Sequence, residues 1–266
     1  MIDAGLNDRV VLVTGANHGL GAATAAAFAA QGAAVFITYL GPPGPDAVLH
    51  AIRSNGGRAE SWEADLVDVA VIPRLFDRAE HTFGPVEVLV NNAAWAQRPD
   101  TFVPAGADAR TEWGDRRLLT LSPELIDGHH AVNARAPALL IAEFARRHIA
   151  RGARWGRIIN VSTNGASGFR GHVSYGASKH ALESYSSAAA VELGPYGITV
   201  SVVASGAMDT GWLTDHQKQT VIAKTPLKRV GTAEDVADVI VFLASEQARW
   251  LTGQLIYADG GDVMPL

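Results

Sequence analysis

Short runs of β-branched and other apolar residues recur along this chain, and longer helical patterns separate them. The runs lack alternation of polar and apolar residues, which is typical of strands covered on both faces of a parallel sheet. Strands are predicted at 10–14, 34–38, 59–64 (a weaker one), 86–90, 157–161, 199–203 and 254–257. Helices are predicted at about 19–31, 45–55, 68–83, 123–151, 175–194 and 233–245. This alternation predicts an α/β fold, a single-domain Rossmann-like doubly wound parallel sheet of about seven strands with helices on both faces.

The composition is that of a globular protein and excludes chemistry that depends on cysteine. The chain has 266 residues and neither a repeat nor a linker, so 1–266 are expected to form one domain, with an insertion at 97–121. It has no cysteine, and its scattered histidines lack metal-ligand spacing, so no metal site is expected. The net charge of −5 gives no indication of nucleic acid or an anionic membrane as a partner.

One stretch near the N-terminus tests whether the chain enters a membrane. No Asp, Glu, Lys or Arg occurs between Arg9 and Asp46, and a membrane span needs roughly 20 mostly apolar residues. Glycine, asparagine, histidine and glutamine interrupt the stretch, so it is interpreted as a strand, a glycine turn, a helix and a strand. The first residues also lack the basic start and the apolar run of a signal peptide. A cytoplasmic location is therefore expected.

A glycine-rich turn at 14–21 follows the first predicted strand and opens the first predicted helix. Its glycines are Gly15, Gly19 and Gly21. Glycine lets the backbone approach a pyrophosphate closely, and a helix N-terminus offers free N–H groups and a favourable dipole. The spacing differs from the common Gly-x-Gly-x-x-Gly fingerprint, and a purely structural turn that uses glycine for positive φ is the alternative. The turn favours a dinucleotide site.

A tyrosine and a lysine four residues apart, Tyr175 and Lys179, open the helix predicted at 175–194. Residues at this spacing lie on one helix face, and a nearby ammonium is expected to lower the pKa of the phenol. Tyr175 would then be a usable general acid/base, with Ser162 as a second hydroxyl for the same substrate oxygen. Alone the pair is weak, because a helix that packs a tyrosine above a solvated lysine has the same pattern.

Together these motifs resemble the short-chain dehydrogenase/reductase family over nearly the whole chain. The glycine turn matches that family's Thr-Gly-x-x-x-Gly-x-Gly, and 91–94 match its Asn-Asn-Ala-Gly element with Ala94 in place of the last glycine. Residues 205–210 match its Pro-Gly-x-x-x-Thr segment with Ser205 in place of the proline, and 252–261 resemble its last strand. The family's catalytic residues fall, in order, on Asn133, Ser162, Tyr175 and Lys179.

The resemblance implies a nicotinamide cofactor at the carboxyl edge of the sheet and a small carbonyl or secondary alcohol as substrate. It implies that Tyr175 donates the proton to the developing alkoxide and that Ser162 orients that oxygen. Lys179 would hold the nicotinamide ribose, and Asn133 would hold a water linked to Lys179. The implied cofactor contacts are Gly15, Asn17, His18, Gly19, Leu20, Gly21, Tyr39, Asp65, Leu66, Asn92, Ala93, Tyr175, Lys179, Gly206, Met208 and Thr210.

The cofactor is expected to be NADP rather than NAD. An NAD site usually has an acidic residue about 20 residues after the glycines, which binds the ribose hydroxyls and would repel a 2′-phosphate. Here the second strand ends Thr38-Tyr39-Leu40, and the next acidic residue is Asp46. In the family, phosphate-selecting members often place Arg or Lys where this chain has His18, which matches only partly because histidine is mostly neutral at pH 7.

The segments expected near the substrate leave its identity open. The polar interval 97–121 lengthens the chain before Asn133, and it could wall the pocket, form a solvated excursion or contact another subunit. Residues 206–225 resemble the family's mobile lid, with Trp212 and Leu213 as candidate apolar wall residues. A 3-oxoacyl-type reductase, an NAD-dependent sugar or cyclic-alcohol dehydrogenase, and a non-catalytic nicotinamide sensor are the alternatives. The resemblance also implies a homotetramer or homodimer formed through the helices at 123–151 and 175–194.

Overall fold

Parallel strands form the centre of the molecule. The structure, a computed structural model, describes residues 4–96, 99–104, 118–211 and 213–264. The strands in these ranges are β1 (Val10–Val13), β2 (Ala34–Tyr39), β3 (Arg58–Glu63), β4 (Val88–Asn91), β5 (Asp100–Thr101), β6 (Leu119–Thr120), β7 (Gly156–Thr163), β8 (Ile198–Ser205) and β9 (Leu255–Ala258). Seven of them form one parallel sheet, as the sequence predicted, and their order in it is β3-β2-β1-β4-β7-β8-β9. β5 and β6 form a separate two-stranded ribbon that the sequence did not predict.

Helices cover both faces of the sheet. They are α1 (Gly19–Ala30), α2 (Asp46–Ser54), α3 (Val71–Phe83), α4 (Pro123–His130), α5 (Ala136–Ala150), α6 (Val173–Leu193), α7 (Asp215–Lys224) and α8 (Ala233–Ala244). Val11 and Val13 of β1 pack with Phe28 of α1 and Ile240 of α8 in one core cluster. Leu12, between them, belongs to the opposite cluster together with residues of α3 and α5. Successive strand residues are therefore buried on opposite faces, which explains the uninterrupted apolar runs.

Two helices differ from the sequence prediction. The single helix predicted at 123–151 is divided by a π-helical turn at Ala131–Arg135. α7, inside the predicted lid, was missed although Thr214 and Gln217 form a capping box at its start, which is a recognisable sequence signal. Ser122 is the N-cap residue of α4 and accepts a hydrogen bond from the backbone N–H of Leu125.

The sheet order brings the motifs to one edge. β2 and β4 lie on opposite sides of β1. The chain therefore extends the sheet in one direction up to β3 and in the other direction from β4 onward, and the point of reversal in the sheet lies between the neighbouring strands β1 and β4. Ligands of open α/β sheets bind outside the carboxyl ends of the strands at such a point. The glycine turn follows β1, Asn92 follows β4, and Gly206 follows β8. No helix in the described ranges is long and apolar enough to cross a membrane.

Candidate active site

Tyr175 and Lys179 lie on the same face of α6, beside the carboxyl end of β7. Lys179 is almost completely buried, and its Nζ donates a hydrogen bond of 2.8 Å to the carbonyl oxygen of Val161. The same Nζ lies 5.9 Å from the centroid of the Tyr175 ring. The helix therefore brings the ammonium beside the phenol, as the four-residue spacing predicted.

Burial controls the protonation of both side chains. It raises the pKa of Tyr175 from 10.0 to about 12. It lowers the pKa of Lys179 from 10.5 to about 8, an effect that the charge of Glu183 opposes. The expected fall in the tyrosine's pKa is wrong for this arrangement, because desolvation of the phenolate outweighs the attraction of an ammonium that is bonded to a backbone carbonyl. At neutral pH Tyr175 is protonated, as a general acid must be.

The hydroxyl of Ser162 is engaged with α6. Its Oγ donates a hydrogen bond of 2.6 Å to Oε1 of Glu183. A serine hydroxyl carries one proton, so in this arrangement Ser162 has no proton left for a substrate oxygen. The next residue, Thr163, ends β7, and its Oγ1 accepts a hydrogen bond of 3.3 Å from the backbone N–H of Gly165. Successive residues of a strand point to opposite faces of the sheet, so Thr163 faces away from α6, and Ser162 is the hydroxyl on the side of the helix that carries Tyr175.

Asn133 is fully buried in the π-helical turn between α4 and α5. Its Nδ2 donates to the carbonyl oxygen of Trp95 at 3.0 Å and to Oγ of Ser178 at 3.1 Å, and its Oδ1 accepts from the backbone N–H of Trp95 at 2.8 Å. The side chain thus connects the segment after β4 to α6. Both amide protons are used, so a water held by Asn133, as expected from the sequence, would have to donate to Oδ1. Single-turn π-bulges of this kind are frequent at functional sites.

The glycine turn and the segment after β4 are locked together. Nδ2 of Asn92 donates to the carbonyl oxygens of Thr14 at 2.9 Å and Gly15 at 2.8 Å. Gly15 has a φ of 63°, and a Cβ there would lie 2.8 Å from the Cα of Ala93. A Cβ on Gly21 would lie 2.6 Å from Nδ2 of Asn92. Close packing therefore requires glycine at both positions. A turn that used glycine only for its positive φ would not need these close contacts.

The first turn of α1 has no side-chain cap. His18 is its N-cap residue and makes no capping hydrogen bond, so the turn keeps the N–H groups and positive dipole that favour an anion. Leu20 is buried in the same turn. Nδ2 of Asn17 donates to the carbonyl oxygen of Pro43 at 2.6 Å, which ties the glycine turn to the segment after β2. The predicted phosphate residues therefore surround one helix end.

The carboxyl ends of β2 and β3 carry the residues predicted to contact the adenosine half. Tyr39 is half-buried and lies in register with Glu63. Oε1 of Glu63 accepts a hydrogen bond of 3.0 Å from the backbone N–H of Gly41, so a carboxylate does lie beside the end of β2. This carboxylate was not predicted, because it lies on the neighbouring strand and the residues of β2 give no sign of it. Asp65 accepts from the backbone N–H of Val67 at 2.9 Å, and Leu66 is buried.

The segment after β8 returns to the glycine turn. A Cβ on Gly206 would lie 2.7 Å from the Cβ of Asp259. Met208 forms a β-bridge with Gly231, and the backbone N–H of Thr210 donates to the carbonyl oxygen of Met208 at 3.0 Å. A Cβ on Gly19 would lie 3.7 Å from Cγ2 of Thr210, so the start of the predicted lid lies against the glycine turn. Trp212 and, in the predicted insertion, 97, 98 and 105–117 lie outside the described residues.

A buried polar cluster next to Tyr175 was not predicted. Both carboxylate oxygens of Asp100 in β5 accept from the backbone N–H of Ser174, at 3.1 and 3.3 Å, and Oδ2 also accepts from its hydroxyl. Nδ1 of His129 in α4 lies 2.7 Å from the same Oγ and 2.8 Å from the carbonyl oxygen of Leu125. Asp100 and His129 have no exposed surface. Neither residue belongs to a motif, so no sequence signal pointed to the cluster.

Comparisons with known proteins agree with this geometry. A family model described as "Enoyl-(Acyl carrier protein) reductase" matches residues 15–262. The chain is 33% identical to the 3-oxoacyl-[acyl-carrier-protein] reductase FabG of Escherichia coli over 260 residues, which cover 96% of this chain and 98% of that protein. It is 34% identical to versicolorin reductase stcU of Emericella nidulans, over 96% of each chain.

The chain belongs to the short-chain dehydrogenase/reductase family. Among solved structures, a dehydrogenase/reductase from Sinorhizobium meliloti superposes with a TM-score of 0.82 at 30% identity, over 97% of this chain and 96% of that chain. A double mutant of a Serratia marcescens short-chain dehydrogenase/reductase gives the same score and identity. This member of the family is an oxidoreductase with a Rossmann-like fold. Among the residues that the structure describes, no group of three or more His, Cys, Asp or Glu side chains could hold a metal ion.

Proposed function

We propose that this short-chain dehydrogenase/reductase interconverts a ketone and a secondary alcohol with NADPH, with Tyr175 as the general acid/base. The observation that carries the proposal is the pairing on α6: the phenol of Tyr175, which is protonated at neutral pH, with the Nζ of Lys179 5.9 Å from its ring centroid. Proton donation to an alkoxide requires a protonated acid with a means of stabilising its conjugate base. Tyr175 and Lys179 supply these two parts.

The residues at the carboxyl edge fit a nicotinamide dinucleotide, which supplies hydride in reduction and accepts it in oxidation. Close packing at Gly15 and Gly21 and the uncapped first turn of α1 suit a pyrophosphate. The binding residues in this proposal are Gly15, Asn17, His18, Gly19, Leu20, Gly21, Tyr39, Asp65, Leu66, Asn92, Ala93, Tyr175, Lys179, Gly206, Met208 and Thr210.

In the reductive direction Tyr175 donates its proton to the alkoxide oxygen of the product. The charged form of Lys179 stabilises the resulting phenolate, which a buried site would otherwise disfavour. A second hydroxyl orients the same oxygen. Ser162, on the same side of the sheet as α6, is the proposed residue for this role. Its hydroxyl can orient the substrate oxygen only after it turns away from Glu183.

NADPH is the proposed nucleotide, with NADH as the alternative. Tyr39 stands where an NAD-specific strand usually carries its acidic residue. The alternative is favoured by Glu63, whose carboxylate lies beside the end of β2 and would repel a 2′-phosphate within its reach. Comparison of Glu63→Gln with the wild-type protein decides between the two. A strong gain in NADPH affinity in the variant would identify Glu63 as a carboxylate that selects NADH.

The proposed substrate class is a 3-oxoacyl chain or another ketone. Two of the relatives are named as reductases, one of a 3-oxoacyl group on acyl carrier protein and the other of versicolorin, which supports a ketone. A sugar or cyclic-alcohol dehydrogenase is the second candidate, favoured only if NADH is preferred. A sensor that binds the nucleotide without turnover is the third, and the complete Tyr175–Lys179 pair argues against it.

A homotetramer or homodimer located in the cytoplasm is part of the same proposal. Exposed apolar side chains on the two long helices support the assembly: Leu139 and Ile149 on α5, and Tyr185 and Val191 on α6. Large apolar side chains in water commonly mark contacts between subunits. Light scattering tests the assembly, and fractionation of the producing cells tests the location.

The test of the function is a fluorescence titration with NADPH and NADH followed by steady-state assays. Acetoacetyl thioesters, cyclic ketones and sugars represent the three substrate classes. NADPH binding with ketone reduction supports the proposal. NADH binding with alcohol oxidation supports the second candidate, and binding without turnover of any of these substrates supports the sensor.

A further inference from the structure

The base of the insertion is attached to the helix that carries Tyr175. In the β5–β6 ribbon, Asp100 lies in register with Leu119, and the backbone N–H of Leu121 donates to the carbonyl oxygen of Thr101 at 2.9 Å. Ser122, the N-cap residue of α4, follows directly. The ribbon is therefore continuous with α4, and it places the carboxylate of Asp100 against the N-terminus of α6.

Asp100 occupies the capping position that the sequence of α6 does not fill. The N-cap residue of α6, His172, makes no side-chain capping hydrogen bond. Instead the carboxylate of Asp100, which has no exposed surface, accepts from the N–H of Ser174 in the first turn. A negative charge at this end also complements the helix dipole. The cap is thus supplied from 74 residues earlier in the chain.

The hydrogen-bond directions in the cluster can be assigned. The carbonyl oxygen of Leu125 only accepts, so Nδ1 of His129 carries the proton and donates to it and to Oγ of Ser174. Oγ of Ser174 in turn donates to Asp100. Nε2 of His129 is buried without a hydrogen-bond partner, and burial lowers the pKa of the ring, so the histidine is neutral. The chain of donors runs from α4 through Ser174 to the carboxylate.

This series of hydrogen bonds passes through Ser174, one residue from the proposed general acid. Ser174 directly precedes Tyr175, and the His129 ring lies 6.1 Å from the Tyr175 ring, between centroids, in an edge arrangement. On its other side His129 lies 4.6 Å from the ring of Trp95, whose backbone is held by Asn133. The cluster thus fixes the first turn of α6 and one wall beside the tyrosine.

We propose that Asp100 is a positioning residue for Tyr175. Its bonds to Ser174 fix the first turn of α6. Through Ser174 and His129 it also fixes the packing beside the phenol. Asp100, at the base of the insertion, thus contributes to catalysis without touching the substrate. The inference rests on the proposed role of Tyr175 as general acid. It predicts that loss of the carboxylate lowers kcat by a larger factor than it raises the nucleotide's Kd, because the glycine turn, which would hold the pyrophosphate, lies on other elements.

The test compares Asp100→Asn, Ser174→Ala and the double variant with a control, Ser186→Ala. Ser186 is also a buried serine on α6, bonded to Asn160 and Leu182, and its loss should leave turnover unchanged. Asp100→Asn and Ser174→Ala should each lower kcat on the order of tenfold, since small misplacements of a catalytic group have effects of this size or larger. The double variant should resemble the single variants, because each single change already removes the hydrogen bond from the Ser174 hydroxyl to the Asp100 carboxylate. The assays are run well below each melting temperature.

Three outcomes would overturn the proposal: wild-type kcat in Asp100→Asn, kcat effects that multiply in the double variant, or an equal loss in the Ser186→Ala control. If Asp100→Asn does not fold, Ser174→Ala, which keeps the bond to the backbone N–H, gives the same test. Hydrogen exchange of the peptide 173–180 separates this inference from the proposed function, since it needs no substrate. Faster exchange in Asp100→Asn than in Ser186→Ala supports the cap even if the wild-type protein reduces no ketone, and unchanged exchange contradicts it.

Discussion

Oγ of Ser162 donates a hydrogen bond of 2.6 Å to Oε1 of Glu183, which lies one helical turn beyond Lys179. The serine keeps its proton but points it at the carboxylate, so a substrate oxygen must compete with Glu183 for this hydrogen bond. Whether Ser162 orients the substrate oxygen is therefore a question that kinetics can answer.

Ser162→Ala is expected to lower kcat more than Thr163→Val. The alanine removes a donor to the developing alkoxide, so kcat should fall on the order of a hundredfold. The valine removes a hydroxyl that faces the other side of the sheet, so Thr163→Val is the matched control. Steady-state kinetics of both variants, with nucleotide Kd values beside them, provide the measurement. A larger loss in Thr163→Val would contradict the proposed role of Ser162.

The stability of the protein should reveal the burial of Lys179. Its pKa is about 8 in the folded chain and 10.5 ordinarily, so between these values the unfolded chain binds more protons and the free energy of unfolding rises with pH. The difference between the two pKa values corresponds to about 3 kcal/mol of the free energy of unfolding, at ~1.36 kcal/mol per pH unit. This contribution is present above pH 10.5 and is lost as the pH falls from there to 8.

Lys179→Met removes this titration and should be more stable than the wild-type protein at pH 7. The gain is reduced by about 1 kcal/mol because the Val161 carbonyl loses its hydrogen bond. Urea unfolding at pH 7 and pH 10 gives the measurement, and the advantage of the variant should shrink at the higher pH. A difference that does not change with pH would show that Lys179 is not held in a desolvated site.

Gly21→Ala should disrupt the glycine turn. The added Cβ would lie 2.6 Å from Nδ2 of Asn92 and 2.7 Å from the Cα of Ala16, and neither a backbone atom nor a fixed amide can move away easily. We expect the dinucleotide Kd to rise at least about tenfold, as the backbone withdraws from the pyrophosphate. Gly44→Ala is the matched control, since a Cβ there meets no atom within 4 Å. Equal Kd values in both variants would count against the site.

The nucleotide preference should change in Tyr39→Asp. A carboxylate at the end of β2 would bind ribose hydroxyls and repel a 2′-phosphate, so the ratio of NADPH to NADH affinity should fall on the order of tenfold or more. Fluorescence titration of both nucleotides measures the ratio. An unchanged ratio would mean that the side chain at position 39 does not select the nucleotide.

The sequence predicted the large sheet and the positions of the motifs, because strands covered on both faces and glycines in close contact leave local patterns. Gly15 and Gly21 are examples, since their need for glycine is visible in the sequence and explained by Ala93 and Asn92 in the structure. Contacts between distant segments left no such pattern. Asp100 caps α6 from 74 residues away, and Glu63 reaches the end of β2 from the neighbouring strand.

The direction in which the pKa of Tyr175 shifts could not be predicted from the sequence either. The spacing to Lys179 gives the sign of their electrostatic interaction but not the depth of burial, and burial determines the direction of the pKa. The present hydrogen-bond partner of Ser162 could not be predicted for a similar reason. Its separation from Tyr175 along the chain fits the motif, but the direction of its hydroxyl depends on Glu183 of another element.

We propose Tyr175 as the general acid of an NADPH-dependent ketone reductase. The kinetics of Tyr175→Phe test this role. Phenylalanine keeps the ring packing against His129 and Phe169 and removes only the proton donor. The account predicts that ketone reduction falls by at least about a hundredfold while the NADPH Kd stays within about twofold of the wild-type value. Wild-type turnover in this variant would contradict it.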